Sequence, residues 1–456
     1  MVTAALDRGM GLLQATATNI IGMVGVGPFL TIPFMVAAMG GPDVVYAWAF
    51  GALLALCDGL VYAELGAALP GSGGPYVYLR EAYRPFGLGR LMAFVFIFQI
   101  VLVAPLAIAG GAVGFADYLG FYWTTMSPLE HNLVAAAVCA AVTALLYRDI
   151  RAIGRLAVVM LVVAIGTIAW VIGAGLASAS WPQAFALAPP ARRVDGGLLR
   201  AIGAAGLLAM YNYGGYNNVC YLGDEIRSPE RTMPRAIVLS IAVVVVLYVA
   251  MSTVMLAVVP WQEAERTRTI ASLFIARTFA DPASGRIAAK AMTALILFIT
   301  AASLYAVVLG YSRIPFAAAR DGEFFEAFAR VHPTKHFPHV SLLTIGAVTL
   351  PFCFFTLGQL VSWLLQVQIL LQFVWQCAAV ILLRRYRPDV AKPFRMWLYP
   401  LPALVSLAMW LYIFVTASPA GIAFSFAFLA AAVGAFLVFD KGTGRARPTA
   451  AASSPP

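Results

Sequence analysis

The chain places glycine and proline where an apolar helix tolerates them least. Residues 20–34 read IIGMVGVGPFLTIPF, so Gly22, Gly25, Gly27 and Pro28 fall inside an uncharged run from Gly9 to Pro42. A helix in lipid can break only where its freed backbone groups meet protein, water or a ligand, so a break here implies a cavity. Pro28 suits the first position of a new half-helix, because its φ is preset and its missing N–H costs nothing there. The N–H groups of Gly25, Val26, Gly27 and Phe29 would then be free at the positive end of that half-helix, a site for a carboxylate. A second interruption lies in YNYGGYNNVCYLGDE, residues 211–225, with Gly214 and Gly215 at its middle. Carbonyls opened around Tyr211, Asn212, Tyr213 and Gly214 could accept bonds from an ammonium group. One break for an anion and one for a cation describe the backbone of an α-amino acid. Close helix packing is the competing use of such glycines, and Pro28 together with the second break weighs against it.

Other residues could also carry chemistry. Asp58 lies deep in an apolar segment, LLALCDGLVYAEL, where an ionisable group is costly and by default functional. It could titrate, or face the bundle as a hydrogen-bonded acid. Glu64 lies nearer the end of that segment, in a structural or gating position. Asp224 and Glu225 stand among Arg227, Arg231 and Arg235, either as a solvated cluster or as a gate closed on Arg8 or Arg80. Gln359, Gln366, Gln368, Gln372 and Gln376 recur in one apolar stretch. The last three are spaced by four and predict one polar helix face, for interhelical bonds or for the wall of a path. His332, His336 and His339 in HPTKHFPH are separated by Pro333 and Pro338, which predicts a loop and not a metal site. No metal or cofactor is expected.

The elements that must position these residues follow from composition. The 456 residues are 62% hydrophobic and 11% charged, which predicts an all-α polytopic membrane protein. Uncharged runs predict twelve spans, at 12–38, 43–69, 88–118, 131–147, 153–178, 199–222, 235–259, 287–312, 340–356, 360–383, 397–417 and 420–439. With the N-terminus in the cytoplasm, 22 of the 30 Lys and Arg residues fall on the inner side. Both termini are therefore expected inside, and the net charge of +10 reads as topology with anionic lipid as its partner, not as nucleic-acid binding. Only Asp7 and Arg8 precede the first span, and no cleavable signal is expected. The five cysteines fall in or beside apolar spans and are expected as free thiols in helix packing. Residues 1–439 are expected as one transmembrane domain and 440–456 as a disordered tail. The two breaks lie five spans apart, which suggests two five-helix halves as an inverted repeat with a site at the midplane.

The sequence resembles the amino acid–polyamine–organocation transporters over nearly its whole length. The first break looks like that family's Gly-Ser/Thr-Gly motif. Residues 62–87 (YAELGAALPGSGGPYVYLREAYRPFG), 211–237 (YNYGGYNNVCYLGDEIRSPERTMPRAI), 313–325 (RIPFAAARDGEFF) and 382–395 (LLRRYRPDVAKPFR) resemble four further motifs in the family's order. The resemblance implies a LeuT-like fold in which spans one to ten form two inverted repeats and the last two are peripheral. It places substrate between Gly25–Pro28 and Tyr213–Tyr216, with Tyr216 at the family's gating aromatic. The family's hydroxyl residue between the first two glycines is Val26 here, and Pro28 replaces a usual aliphatic. A span-five lysine that many relatives use in place of sodium would fall near Ala164, and residues 156–180 contain no lysine. Coupling stays open between exchange, a sodium ion at first-span carbonyls with Thr300 and Ser303, and a proton on Asp58. The expected activity is secondary transport of neutral L-amino acids across a bacterial inner membrane, with no obligatory protein partner. A polyamine or organic-cation permease is the alternative. No nucleotide motif points to an ATP-driven pump, and no nucleophile–base pair points to an enzyme.

Overall fold

The computed structural model describes residues 10–25, 27–71, 73–148, 153–184, 197–333 and 337–442. These residues are helical throughout apart from turns and loops, and the one extended pairing among them is an isolated bridge between Met10 and Ile226. The first half contains α1 (Leu12–Met23), α2 (Gly27–Met39), α3 (Val44–Ala68), α4 (Pro75–Tyr83), α5 (Gly89–Leu119), α6 (Pro128–Arg148), α7 (Ile153–Ser178) and the single turn α8 (Trp181–Ala184). Then follow α9 (Gly197–Tyr213), α10 (Pro229–Val258), the single turn α11 (Trp261–Ala264), α12 (Ile270–Arg277), α13 (Pro282–Arg320), α14 (His339–Phe352), α15 (Leu357–Gln368), α16 (Val374–Tyr386), α17 (Leu401–Thr416) and α18 (Pro419–Gly442).

Among the described residues, eight helical stretches are long and apolar enough to cross a membrane, with α15 and α16 counting as one. The pair α1 and α2, bent by 49°, passes as a ninth. Each of the twelve expected spans coincides with helix, but three are shorter than expected. The 199–222 span ends at Tyr213, where the chain turns, and the 340–356 and 397–417 spans shrink to α14 and α17. α14 loses its carboxyl end, where residues 353–355 turn before Thr356 caps α15, and Pro400 delays the start of α17, since proline biases the residue before it away from helical backbone.

Burial orders the bundle. The apolar window of α5 is 78% buried and that of α3 61%, whereas α6, α7 and α18 bury 22%, 28% and 17%. The first two are central and the last three line the rim. α3 lies against α10, α9 and α17, while α1 runs along α10 and α2 along α9. Lipid tails supply no hydrophobic drive between helices, so close approach at small residues does the work. Gly59 of α3 meets Ile237 and Ile241 of α10, and Gly51 meets Ala209 and Tyr213 of α9. All five cysteines are buried and free, with Cys139 and Cys353 sulfurs 3.7 Å apart between α6 and α14.

One end of the bundle is tied by ions. Arg384 Nε and Nη2 reach Glu64 Oε1 and Oε2 at 2.5 and 2.7 Å, and the Met396 N–H donates to Oε2 at 2.8 Å. Glu64 is 1% exposed, and the Arg384 guanidinium also lies 3.7 Å from the Tyr399 ring centre. Glu64 thus joins α3 to α16 and to the segment after it. Beside it Arg387 bonds both Glu81 (2.9 Å) and Asp389 (2.8 Å). Burial would raise the Glu81 carboxyl, but Arg387 and Arg80 hold it below its ordinary 4.5. The lowered value means that this clamp stabilises the fold above that pH and lets go as acid protonates Glu81.

Arg384→Ala strands a buried carboxylate and is expected to cost about 3–5 kcal/mol, read as a lowered unfolding midpoint in detergent. The double variant with Glu64→Gln is expected to recover part of the loss. Equal midpoints for single and double variants would show that Glu64 keeps no charge there.

Candidate functional site

The first break runs from Val24, which leaves helical backbone at φ −84° and ψ 86°, to Gly27, which opens α2. Pro28 therefore sits one place inside the first turn and not at its first position. The expected free donors are partly used, since the Gly25 N–H turns back to the Met23 carbonyl at 3.1 Å. That carbonyl also accepts the Tyr248 hydroxyl of α10 at 2.6 Å. Val26 lies outside the described residues. Phe29 is 1% exposed, and its carbonyl accepts the Tyr118 hydroxyl at 3.0 Å.

The second break follows Tyr213. Residues 214–217 turn, and a 3₁₀ segment runs from Asn218 to Glu225. Gly215 has φ +111°, a conformation open to glycine and strained for other residues. The two breaks cross backbone to backbone here. A Cβ on Gly215 would stand 2.7 Å from the Gly22 carbonyl carbon, and one on Gly22 would run into Asn218 Nδ2. Asn19 of α1 locks the crossing by accepting the Val219 N–H at 2.9 Å and donating to Ser240 of α10 at 3.3 Å. Gly22 and Gly214, at the two breaks, are both exposed.

The side chains around it divide. Tyr211 is half-buried, with its ring beside Gly27 and its hydroxyl beside Gly110 of α5. Asn212 is buried; it donates to Thr31 Oγ1 and the Leu208 carbonyl at 2.7 and 2.8 Å, while its Oδ1 faces Gly27 and has no partner among the described residues. Tyr213 points away, its hydroxyl 3.4 Å from the Trp48 carbonyl of α3. Ser303 of α13 faces Gly25, with Oγ 3.6 Å from the place of a Cβ. Thr300 donates into its own helix, to the Ile296 carbonyl at 2.7 Å.

Tyr216 reaches to Asp58. Its hydroxyl donates to Asp58 Oδ2 at 2.5 Å, while Oδ1 accepts Ser406 (2.9 Å) and Trp410 (3.1 Å) of α17 and the Cys377 thiol (3.7 Å) of α16. Asp58 is fully buried, and among the described residues no Lys, Arg or His pairs with it. Its ring neighbour Tyr62 stands edge-on to Tyr216 at 6.0 Å and accepts Gln372 Nε2 at 2.6 Å; Gln372 Oε1 in turn accepts Gln99 of α5 at 2.8 Å.

One expectation needs correction. Gln368, Gln372 and Gln376 do not form one even stripe, because a π-helical turn at Ile369–Phe373 inserts a residue between α15 and α16. Gln366, Gln372 and Gln376 are buried, Gln368 is half-buried, and Gln359 instead caps α15 with Thr356. Arg80 pairs with Glu81 and Glu323, and the Glu225 carbonyl accepts the Met10 N–H. Arg8, His336 and the Asp224 side chain lie outside the described residues. His332 stacks on Phe337, with His339 edge-on beside it. Asn19, Gln99, Tyr248, Ser406 and Trp410 escaped the sequence reading. Asn19 and Gln99 carried a usable signal, a lone amide in an apolar run.

A family model described as amino acid permease matches residues 10–438. An uncharacterized transporter of Mycobacterium tuberculosis is 31% identical over 352 residues, covering 75% of this chain and 73% of that protein. The branched-chain amino acid permease BcaP of Bacillus subtilis is 27% identical, covering 86% and 84%. Human cationic amino acid transporter 4 is 26% identical, covering 76% of this chain and 55% of its own length.

Gly215→Ala is expected to cost roughly 1–3 kcal/mol in backbone strain before its overlap with Gly22 is counted, and to lower the unfolding midpoint accordingly. Gly25→Ala, whose added carbon meets only Ser303, is expected to leave the midpoint unchanged. Equal midpoints for the two variants would show that the crossing does not constrain the fold.

Proposed function

Because the chain belongs to the amino acid permease family of the amino acid–polyamine–organocation transporters, we propose that it is a secondary active transporter, permease or exchanger, for neutral L-amino acids, working by alternating access. The observation that carries this is the crossing of two helix breaks whose glycines, Gly22 and Gly214, are exposed inside an apolar bundle. The amino end of α2 favours a carboxylate, and the carboxyl end of α9 presents carbonyls to an ammonium group. Gly25, Val26, Gly27, Pro28 and Phe29 take the first role, and Tyr211 to Gly215 the second. The breaks belong to spans one and six of twelve, as the two halves of a LeuT-like inverted repeat with two peripheral spans after it. The basic end, with both termini, faces the cytoplasm of a bacterial inner membrane.

Side-chain selectivity follows from what is left for the ligand. A polyamine or a strongly basic side chain needs buried acids. Glu64 is spent on Arg384, and Asp58 already holds four donors. Phe29 and Tyr211 offer apolar and aromatic surface at the breaks, which suits a neutral and fairly apolar side chain. One relative is named for branched-chain amino acids and another for cationic ones, so the local chemistry decides the choice.

Purified protein in liposomes is expected to take up labelled L-leucine without ATP. Unlabelled L-leucine and L-alanine compete, and putrescine and spermidine do not. Tight polyamine binding with no effect of leucine would move the assignment to an organic-cation permease.

A further inference from the structure

Asp58 stands apart from the other acid of its helix. Six residues along α3, Glu64 has an arginine. Asp58 is equally buried and is met only by neutral donors from three other elements. An asparagine or serine would satisfy most of those donors without the cost of a charge at mid-bilayer, so the acid itself calls for a reason.

Resting on the transporter function above, we propose that Asp58 is the proton-binding site of the transport cycle and that Tyr216 relays its charge to the substrate break. The two carboxylate oxygens are not equivalent. Oδ1 accepts the Trp410 indole N–H, which can only donate, so Oδ1 must remain an acceptor in every state. Oδ2 meets one group, the Tyr216 hydroxyl, which can donate or accept. A proton from solvent therefore goes onto Oδ2, forming its O–H bond. Tyr216 then changes from donor to acceptor, and its own hydroxyl hydrogen turns aside. In both charge states Oδ1 keeps its donors, while the bond between Oδ2 and Tyr216 passes from a charge-assisted one to a weaker neutral one.

To Asp58 its own helix brings Cys57 and Tyr62, the second break brings Tyr216, and α16 brings Cys377. α17 brings Ser406 and Trp410, and α10 brings Ile237 and Ile241 onto the neighbouring Gly59. None of these is a cation, and phenols and thiols are ordinarily neutral near pH 7.

Tyr216 connects the acid to the ligand through one peptide bond. Its hydroxyl is on Asp58, and its backbone follows Gly215, which lies against Gly22 at the crossing. A charge-assisted bond is about twice as strong as a neutral one. The ionised acid thus holds the Tyr216 ring on α3, and the protonated acid frees it to close over substrate. Proton and amino acid then strengthen each other's binding equally.

The test is the pH dependence of L-leucine binding to purified protein, joined to infrared difference spectra between acidic and alkaline solution. The wild type is expected to bind more tightly at lower pH, by about tenfold per pH unit within the coupled range for one linked proton. It should also show the C=O band of a protonated carboxylic acid that Asp58→Asn removes. Asp58→Asn and Tyr216→Phe are both expected to flatten the pH dependence, while in Tyr216→Phe the carboxyl band still titrates. A pH-independent wild type, a slope that survives Asp58→Asn, or no titrating band would make Asp58 a structural acid. A slope that survives Tyr216→Phe would remove the relay. Failure of the wild type to bind any neutral L-amino acid would instead overturn the substrate class, and the infrared measurement, which needs no ligand, would still decide whether Asp58 titrates.

Discussion

A bilayer core offers no water to a broken helix, so each backbone group released at mid-span needs a partner. That requirement organises this molecule. Two breaks placed against each other reduce the demand, because Gly22 and Gly215 let the main chains touch where side chains would hold them apart. The rest is met from the surrounding helices. α10 sends Tyr248 to the Met23 carbonyl and Ser240 to Asn19, and Asn19 takes the Val219 N–H. α3 braces the far side, where Trp48 receives Tyr213 both through its carbonyl and as an edge-on ring 5.5 Å away. The tight packing of α3, α10 and α9 is thus the frame that lets backbone stay unwound in a dry place.

The same comparison explains what could be read from the chain. Gly25, Gly27, Pro28, Gly214 and Gly215 announce their breaks because the signal is local, a helix breaker in an apolar run. The helices follow from uncharged length for the same reason. Asp58 was visible as an acid at depth, but its partners were not, since Ser406 and Trp410 stand 348 and 352 residues away and owe their meeting to tertiary packing. Glu64 was equally visible, but its partner Arg384 lies 320 residues away and leaves no local trace. The glutamine stripe failed because an even spacing assumes an even helix. The donors expected at Gly25 were overcounted because a tight turn to Met23 costs no extra residues and leaves no trace in composition.

The two acids of α3 show how one helix can combine fixity with adjustment. Glu64 meets a guanidinium in a two-bond fork, a geometry that resists both rotation and loss of charge. Asp58 meets hydroxyl, thiol and indole groups; the Tyr216 hydroxyl can turn from donor to acceptor, whereas the indole N–H, its ring stacked on Phe373, stays a donor. α3 thus carries an ionic contact at its basic end and neutral contacts at the level of Asp58.

The π-turn at Ile369–Phe373 bears on how the gene can change length. Such a turn is a helix with one residue too many. Removing one residue within those five lets the backbone close into regular α-helix with both flanks in place, so Cys377 stays by Asp58 and Arg384 by Glu64. Removing one elsewhere in α15 or α16 turns the helix on one side of the cut by about 100° relative to the other. Loss of a residue in this span is therefore best absorbed within those five codons, and relatives one residue shorter in it should differ there.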